Sequence, residues 1–375
     1  MTELQYCTRC LYPATKPRLE FDEEGVCSAC RAFERRAEID WTAREREWDA
    51  LLQSAKNPRP GQPYDCVVPV SGGKDSTCQV VTALQYGLRP LAVTAMTDHL
   101  TDVGRANLDN ISKLGVDHVM VQTDQKLRRR LNKFCLDQVG DISWAEHVTI
   151  FTVPIREALI RGIPLILYGE NPENEYGGPF DAQGAHEMTR SWLEEFGGLC
   201  GLRVSDIVDF GIATEDGMFQ YRYPEIPDGA SLQAVFLGYY FPWDSAANAG
   251  TAAKHGFYGW GTPSGSWLAG ENIDNEQTGL HDFFMYLKFG YGRATAQLSQ
   301  EIRRGRIERA RAVELVRELD GEYPWRYVDA HLHHVLERIE LSRDDLWLII
   351  EKFANRDLFD LDRESETVKP KFTVR

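Results

Sequence analysis

Residues 71–76 read Ser-Gly-Gly-Lys-Asp-Ser and follow the apolar run Cys66-Val67-Val68-Pro69-Val70 directly. The apolar run has the composition of a strand buried on both faces. The segment after it, "TCQVVTALQYG", places apolar residues at helical spacing and ends on Gly87, a helix stop. Ser71–Ser76 therefore occupy a tight turn between a strand and a helix N-terminus. Backbone N–H groups there lack partners, and the helix dipole favours an anion. The glycines let the backbone approach that anion, and Lys74 adds a point charge. The stretch reads as a phosphate cradle.

A second cluster lies near the start of the chain. Four of the eight cysteines stand as Cys7-x2-Cys10 and Cys27-x2-Cys30, with sixteen residues between the pairs. Two such knuckles supply four thiolates to one tetrahedral ion, so Zn²⁺ is expected, and in a structural role because no position stays open. Cys66, Cys78, Cys135 and Cys200 are scattered and read as small buried residues.

The elements that position these groups alternate. Strands are predicted at 65–70, 89–96, 118–123 and 163–169, with helices at 75–86, 104–114, 126–139 and 149–161. The pattern predicts an α/β fold, a doubly wound parallel sheet with helices on both faces. Such sheets bind ligands beyond the carboxyl ends of their strands, so Ser71–Ser76, Met96–His99 and Gly169–Asn171 are expected to converge. Ahead of the sheet come the zinc module (1–33) and one charged helix over 32–55 with a breaker-rich linker (together 34–64). Residues 65–280 form the main domain and 281–375 a helical C-terminal region with a loose final dozen residues. Residues 172–235 give no clear pattern, and 234–243 reads as a further strand running into a loop.

Composition narrows the classes. A net charge of −15 in 375 residues disfavours a broad nucleic-acid footprint. The basic run 126–133 reads as a solvated helix face. No apolar run reaches the length that spans a membrane, and the N-terminus has no secretory pattern, so a cytoplasmic protein is expected.

Neither the G-x-x-x-x-G-K-[ST] nor the G-x-G-x-x-G spacing is present at the loop. Ser-Gly-Gly-Lys-Asp-Ser instead resembles the SGGxDS signature of the N-type ATP pyrophosphatases, the PP-loop family with its HUP-like sheet. The resemblance implies cleavage of ATP between its α- and β-phosphates, giving an adenylated substrate. On that reading Ser71, Gly72, Gly73, Asp75 and Ser76 surround the phosphates, with Lys74 adding charge. Thr94 and Met96 meet adenine through main chain, Gly169 lies beside the nucleotide, and Mg²⁺ bridges the phosphates near Asp75 and Glu170.

Three further segments, "CTRCLYPATKP…GVCSAC", "YGENPENEYGG" (168–178) and "HDFFMYLKFGYGRATAQLSQEIRRGRI" (281–307), together resemble the N-acetyl sugar amidotransferases of bacterial surface-polysaccharide and nonulosonic-acid assembly. The resemblance spans residues 1–320 and implies conversion of a sugar's acetamido group to acetamidino. Asp75, Lys74, Glu170 and Asn171 then carry the chemistry. Asn171, Glu175 and Tyr176 hold the sugar or orient ammonia, and Lys288 and Arg293 bind the diphosphate of a nucleotide-linked sugar or the tail of ATP. "GGLCGL" (197–202) has Leu202 where a glutaminase elbow needs glycine two residues after Cys200, and the His186-Glu187 pair precedes that cysteine. A separate glutaminase partner is therefore expected to supply ammonia. The rival reading is a PP-loop tRNA thiolase, for which the acidic balance and the unpaired Cys78 and Cys135 are poor equipment.

Overall fold

A computed structural model describes residues 4–56, 61–180, 187–259 and 261–375. The chain opens with α1 (Ser28–Arg35) and α2 (Trp41–Ala55). The single helix expected over 32–55 is thus two, joined by a 3₁₀ turn. The break comes at Asp40, whose carboxylate accepts a bond from the Ala43 amide and caps α2. Residues 57–60 of the expected linker lie outside the described residues.

The alternating segment follows as β1 (Cys66–Pro69), α3 (Lys74–Gln85), β2 (Pro90–Ala95), α4 (Asp102–Lys113), β3 (Asp117–Val121), α5 (Gln125–Val139), α6 (Trp144–Arg161) and β4 (Leu165–Tyr168). Two short helices, α7 (Arg190–Phe196) and α8 (Val204–Asp209), lead to β5 (Gln233–Phe236), where the strand ends earlier than expected. One helical turn, α9 (Leu237–Tyr240), and then α10 (Ser245–Lys254) complete the layer. All pairings are parallel, in the order β3-β2-β1-β4-β5. The order reverses between β1 and β4, so their carboxyl ends open a crevice.

The unbroken apolar character of β1 now has its reason. Val67 faces a core shared with Leu131, Trp144 and Ile155, while Cys66 and Val68 face one shared with Trp48, Val80 and Ala83. A strand covered on both sides needs apolar residues at every position.

The C-terminal part contains α11 (Thr278–Phe289), α12 (Arg293–Arg303), α13 (Arg309–Leu319), α14 (Leu332–Arg338) and α15 (Arg343–Phe353). A two-residue pair, β6 (Arg326–Tyr327) with β7 (Ala330–His331), precedes α14. The residues expected to trail loosely instead form half of a hairpin, β8 (Phe359–Asp362) with β9 (Thr367–Pro370). Phe359 and Phe372 bury against Tyr286 and tie that hairpin down. Among the described residues no helix is long and apolar enough to cross a membrane.

Candidate active site

The crevice holds a cavity of about 430 Å³, within the range of small-molecule sites. Its floor is the turn Ser71–Ser76. Gly72 has φ +86°, and a Cβ there would stand 2.7 Å from the Leu108 amide nitrogen of α4. Only glycine lets the turn lie this close to α4. The first amides of α3 have no partner within the helix and are available to an anion.

Behind the turn, Lys74 is buried and pairs with its neighbour Asp75 and with Glu271 at 3.1 Å. Burial works against its ammonium, but the two carboxylates outweigh it and hold the pKa above the usual lysine value. Asn248 of α10 donates to Asp75 Oδ1 at 2.9 Å. Ser245 and Gln297 donate to Glu271 at 2.8 and 3.0 Å, and Lys74 keeps that carboxyl ionised despite its burial. Glu170, at the end of β4, also lines the cavity. Burial, and then the charge of Asp75, push its pKa up to about 7. Asp274, which also lines the cavity, rises to about 6, chiefly through burial. The remainder of the wall is apolar, with Val93, Ala95, Phe151, Pro154 and Phe236. Pro154 has no N–H to give the Ile150 carbonyl one turn earlier in α6, and both residues face the cavity.

Ser71, Gly72, Gly73, Lys74, Asp75, Ser76, Gly169, Glu170, Tyr176 and Arg293 all line this space, so two of the three expected strand ends converge. Met96–His99 are placed elsewhere. The Met96 amide is spent on the Val121 carbonyl in the sheet, and Thr94 turns its hydroxyl away to the Val70 carbonyl at 2.7 Å. Their neighbours Val93 and Ala95 face inward. Gly169 serves close packing, since a Cβ there would meet Gln79 Nε2 at 2.4 Å. Asn171 is buried and does not line the cavity.

Glu175 is likewise withdrawn: it lies buried against Arg304 at 3.1 Å and against Arg36, and its carbonyl accepts from Arg303. Its carboxylate neutralises the Arg304 and Arg36 guanidiniums and is closed to sugar hydroxyls. Lys288 points the other way, donating to the Val139 and Gly140 carbonyls at 3.2 and 3.0 Å, where it caps α5. Arg293 faces the cavity but is neutralised by Asp282 of α11 at 2.5 Å.

Sequence reasoning missed Glu271, Asp274, Gln79, Asn248 and Asp282. A signal existed for the first. Gly-Glu-Asn occurs at 169–171 and again at 270–272, and each copy delivers a glutamate to the cavity.

The four N-terminal thiols are buried together, with Cys7–Cys30 and Cys10–Cys27 sulfur separations of 3.9 and 3.6 Å. Zn–S bonds of about 2.3 Å in a tetrahedron put sulfurs roughly 3.8 Å apart, so the cage fits zinc. Backbone amides of Arg9, Cys10 and Cys27 point at Cys7 Sγ, as expected for a thiolate. Cys200 is exposed, and Cys78 is buried with its thiol raised by burial. His186 lies outside the described residues.

Residues 255–371 match the family described as "LPS biosynthesis protein WbpG-like, C-terminal domain". No curated protein matches the chain. Among solved structures, it is similar to the NH3-dependent NAD synthetase from Campylobacter jejuni subsp. jejuni NCTC 11168 in complex with the nitrate ion. Identity is 14%, covering 51% of this chain and 100% of that one, with a TM-score of 0.30. It is also similar to the NMN synthetase from Francisella tularensis, at 15% identity over 60% of this chain and 98% of that one, with a TM-score of 0.28.

Proposed function

We propose that the chain is an ATP-dependent, AMP-forming amidotransferase of lipopolysaccharide biosynthesis. It converts the acetamido group of a nucleotide-linked sugar to acetamidino, using ammonia from a separate glutaminase. The observation that carries this reading is one cavity lined by both the Ser71–Ser76 turn and the Glu170 carboxyl. The match of residues 255–371 supports the biosynthetic setting.

An acetamido oxygen is a poor leaving group, and adenylation makes it a good one. The turn's amides and Lys74 hold the β- and γ-phosphates, while Val93, Ala95, Phe151 and Phe236 offer an apolar slot for adenine. The acetamido oxygen attacks the α-phosphorus, an O–P bond forms, and pyrophosphate leaves. Ammonia then adds to the imidate carbon, a proton passes to Glu170, and AMP departs with the oxygen. Asp75, Glu170, Glu271 and Asp274 outnumber the cations Lys74 and Arg293 in the cavity, a donor set suited to a hard cation. Mg²⁺ held against Asp75 would neutralise phosphate charge. The four-cysteine cage would hold Zn²⁺ as a brace.

Incubating the chain with ATP, an ammonium salt and a panel of UDP-acetamido sugars tests the reading. The expected products are AMP, pyrophosphate and a sugar one mass unit lighter, all lost in Asp75→Ala. Release of ADP and orthophosphate would overturn it.

A further inference from the structure

Away from the cavity, a second cluster of metal-ligating side chains joins three elements. Asp141 lies in the loop between α5 and α6, His147 in the first turns of α6, and His281 in α11. One ligand atom from each lies within 4.8 Å of the others. Asp141 Oδ1 is 2.8 Å from His281 Nδ1, and its Oδ2 is 3.2 Å from His147 Nδ1. The two imidazoles meet edge to face, with ring centres 5.1 Å apart.

A hydrogen-bonded network alone leaves this arrangement incomplete. Asp141 is buried, and its Oδ1 already accepts from the Ser143 amide at 2.8 Å as well as facing His281. Nδ1 of His147 is buried and lies 3.2 Å from Asp141 Oδ2, in electrostatic contact with it but without a well-aligned hydrogen bond. A nitrogen that close to an anion without an aligned N–H is the geometry of two ligands adjacent on one ion. Tetrahedral bonds of about 2.0 Å place neighbouring N and O donors roughly 3.3 Å apart.

We propose that Asp141, His147 and His281 form a second metal site, for a divalent first-row cation that accepts two imidazoles and a carboxylate. Zinc and cobalt suit that donor set, whereas magnesium and calcium prefer oxygen donors throughout. The imidazoles are a quarter exposed, at 26% and 23%, while the Asp141 carboxylate between them is buried. None of the three residues lines the nucleotide cavity. The ion clamps α11 of the C-terminal layer to the loop and helix that flank the sheet, and its binding is independent of the reading of the cavity.

Metal content and Co²⁺ titration of the full chain, with its four-cysteine cage already filled with Zn²⁺, provide the test. The parent should take up a second equivalent, with cobalt d–d absorption lacking the intense thiolate charge-transfer band. Zn²⁺ should also raise its melting temperature. His281→Ala should lose the second equivalent and the thermal shift while keeping the first zinc. His147→Gln, which preserves a polar contact to Asp141, guards against a folding defect and should lose both as well. A parent that binds one equivalent only, or variants that keep the second, would overturn the proposal.

Discussion

Lys74 and Glu271 meet at 3.1 Å behind the Ser71–Ser76 turn, although one heads α3 and the other lies in the loop before α11. The contact ties the turn to the far wall of the cavity. It also stabilises an ammonium that burial works against.

Glu271→Gln keeps the volume and the bonds from Ser245 and Gln297 within reach, but removes the charge that anchors Lys74. With a misplaced lysine, AMP-forming turnover should fall by about 10²-fold in kcat/KM, the cost of a small displacement of a catalytic group. Circular dichroism should be unchanged. Pyrophosphate release at the parent rate would show that Lys74 needs no such anchor.

Two adjacent glycines should respond differently. A Cβ on Gly72 collides with the backbone of α4, whereas one on Gly73, in an extended conformation, meets only the Ser71 hydroxyl at 3.2 Å. Gly72→Ala should abolish ATP binding in a filter or calorimetric assay, and Gly73→Ala should weaken it only modestly. Equal losses would mean that α4 does not constrain the turn.

The sheet and the Ser71–Ser76 turn were legible in the sequence because strand, turn and helix signals are local and agree with one another. The residues that complete the cavity were not. Asn248 and Glu271 arrive from loops and helices far along the chain, and nothing in their neighbourhoods dictates where they fold back. Lys288 and Glu175 show the opposite error. Each has the charge a substrate site wants, but Lys288 is consumed by the carbonyls ending α5 and Glu175 by Arg304 and Arg36. Side-chain type near a motif does not reveal which partner the fold supplies. The hairpin of β8 and β9 escaped notice because its strands are short and polar on one face, with Phe359 and Phe372 as the anchors.

The cysteine cage should act on the active site through packing. Helix α1 begins at the second knuckle and lies against the turn Glu173–Gly177, where a Cβ on Gly177 would meet Ala29 Cβ at 2.9 Å. Tyr176 of that turn lines the cavity. Cys7→Ser or Cys27→Ser should therefore lose stoichiometric zinc, lower the melting temperature and reduce turnover together. Full activity in a zinc-free variant would separate the cage from the site.

Glu175 has a sharper expectation. Glu175→Ala leaves the buried Arg304 guanidinium and the part-buried Arg36 without their common carboxylate, and breaking one side of a buried pair such as Glu175–Arg304 costs about 3–5 kcal/mol. Glu175→Ala should thus lower stability in urea far more than a surface Glu→Ala such as Glu314→Ala, whose exposed pair with Arg311 contributes little. Comparable midpoints for the two variants would contradict the structural role.

Glu170 gives the pH dependence. Its pKa near 7 in the folded chain exceeds the ordinary 4.5, through burial and then the charge of Asp75. As the proton acceptor in the ammonia step it must be ionised, so turnover should climb with pH through about 7 and then level off. The same shift fixes the sign of its effect on stability. A folded pKa above the unfolded one favours the protonated fold, so this contribution is full below 4.5 and is lost as pH rises through 7. Ligand-free Glu170→Gln should match the parent in melting temperature at acidic pH and exceed it at pH 8, while turning over slowly and without the acid limb. Should the limb persist in Glu170→Gln, another group sets the rate; should the stability gap stay constant with pH, the carboxyl does not titrate near neutrality.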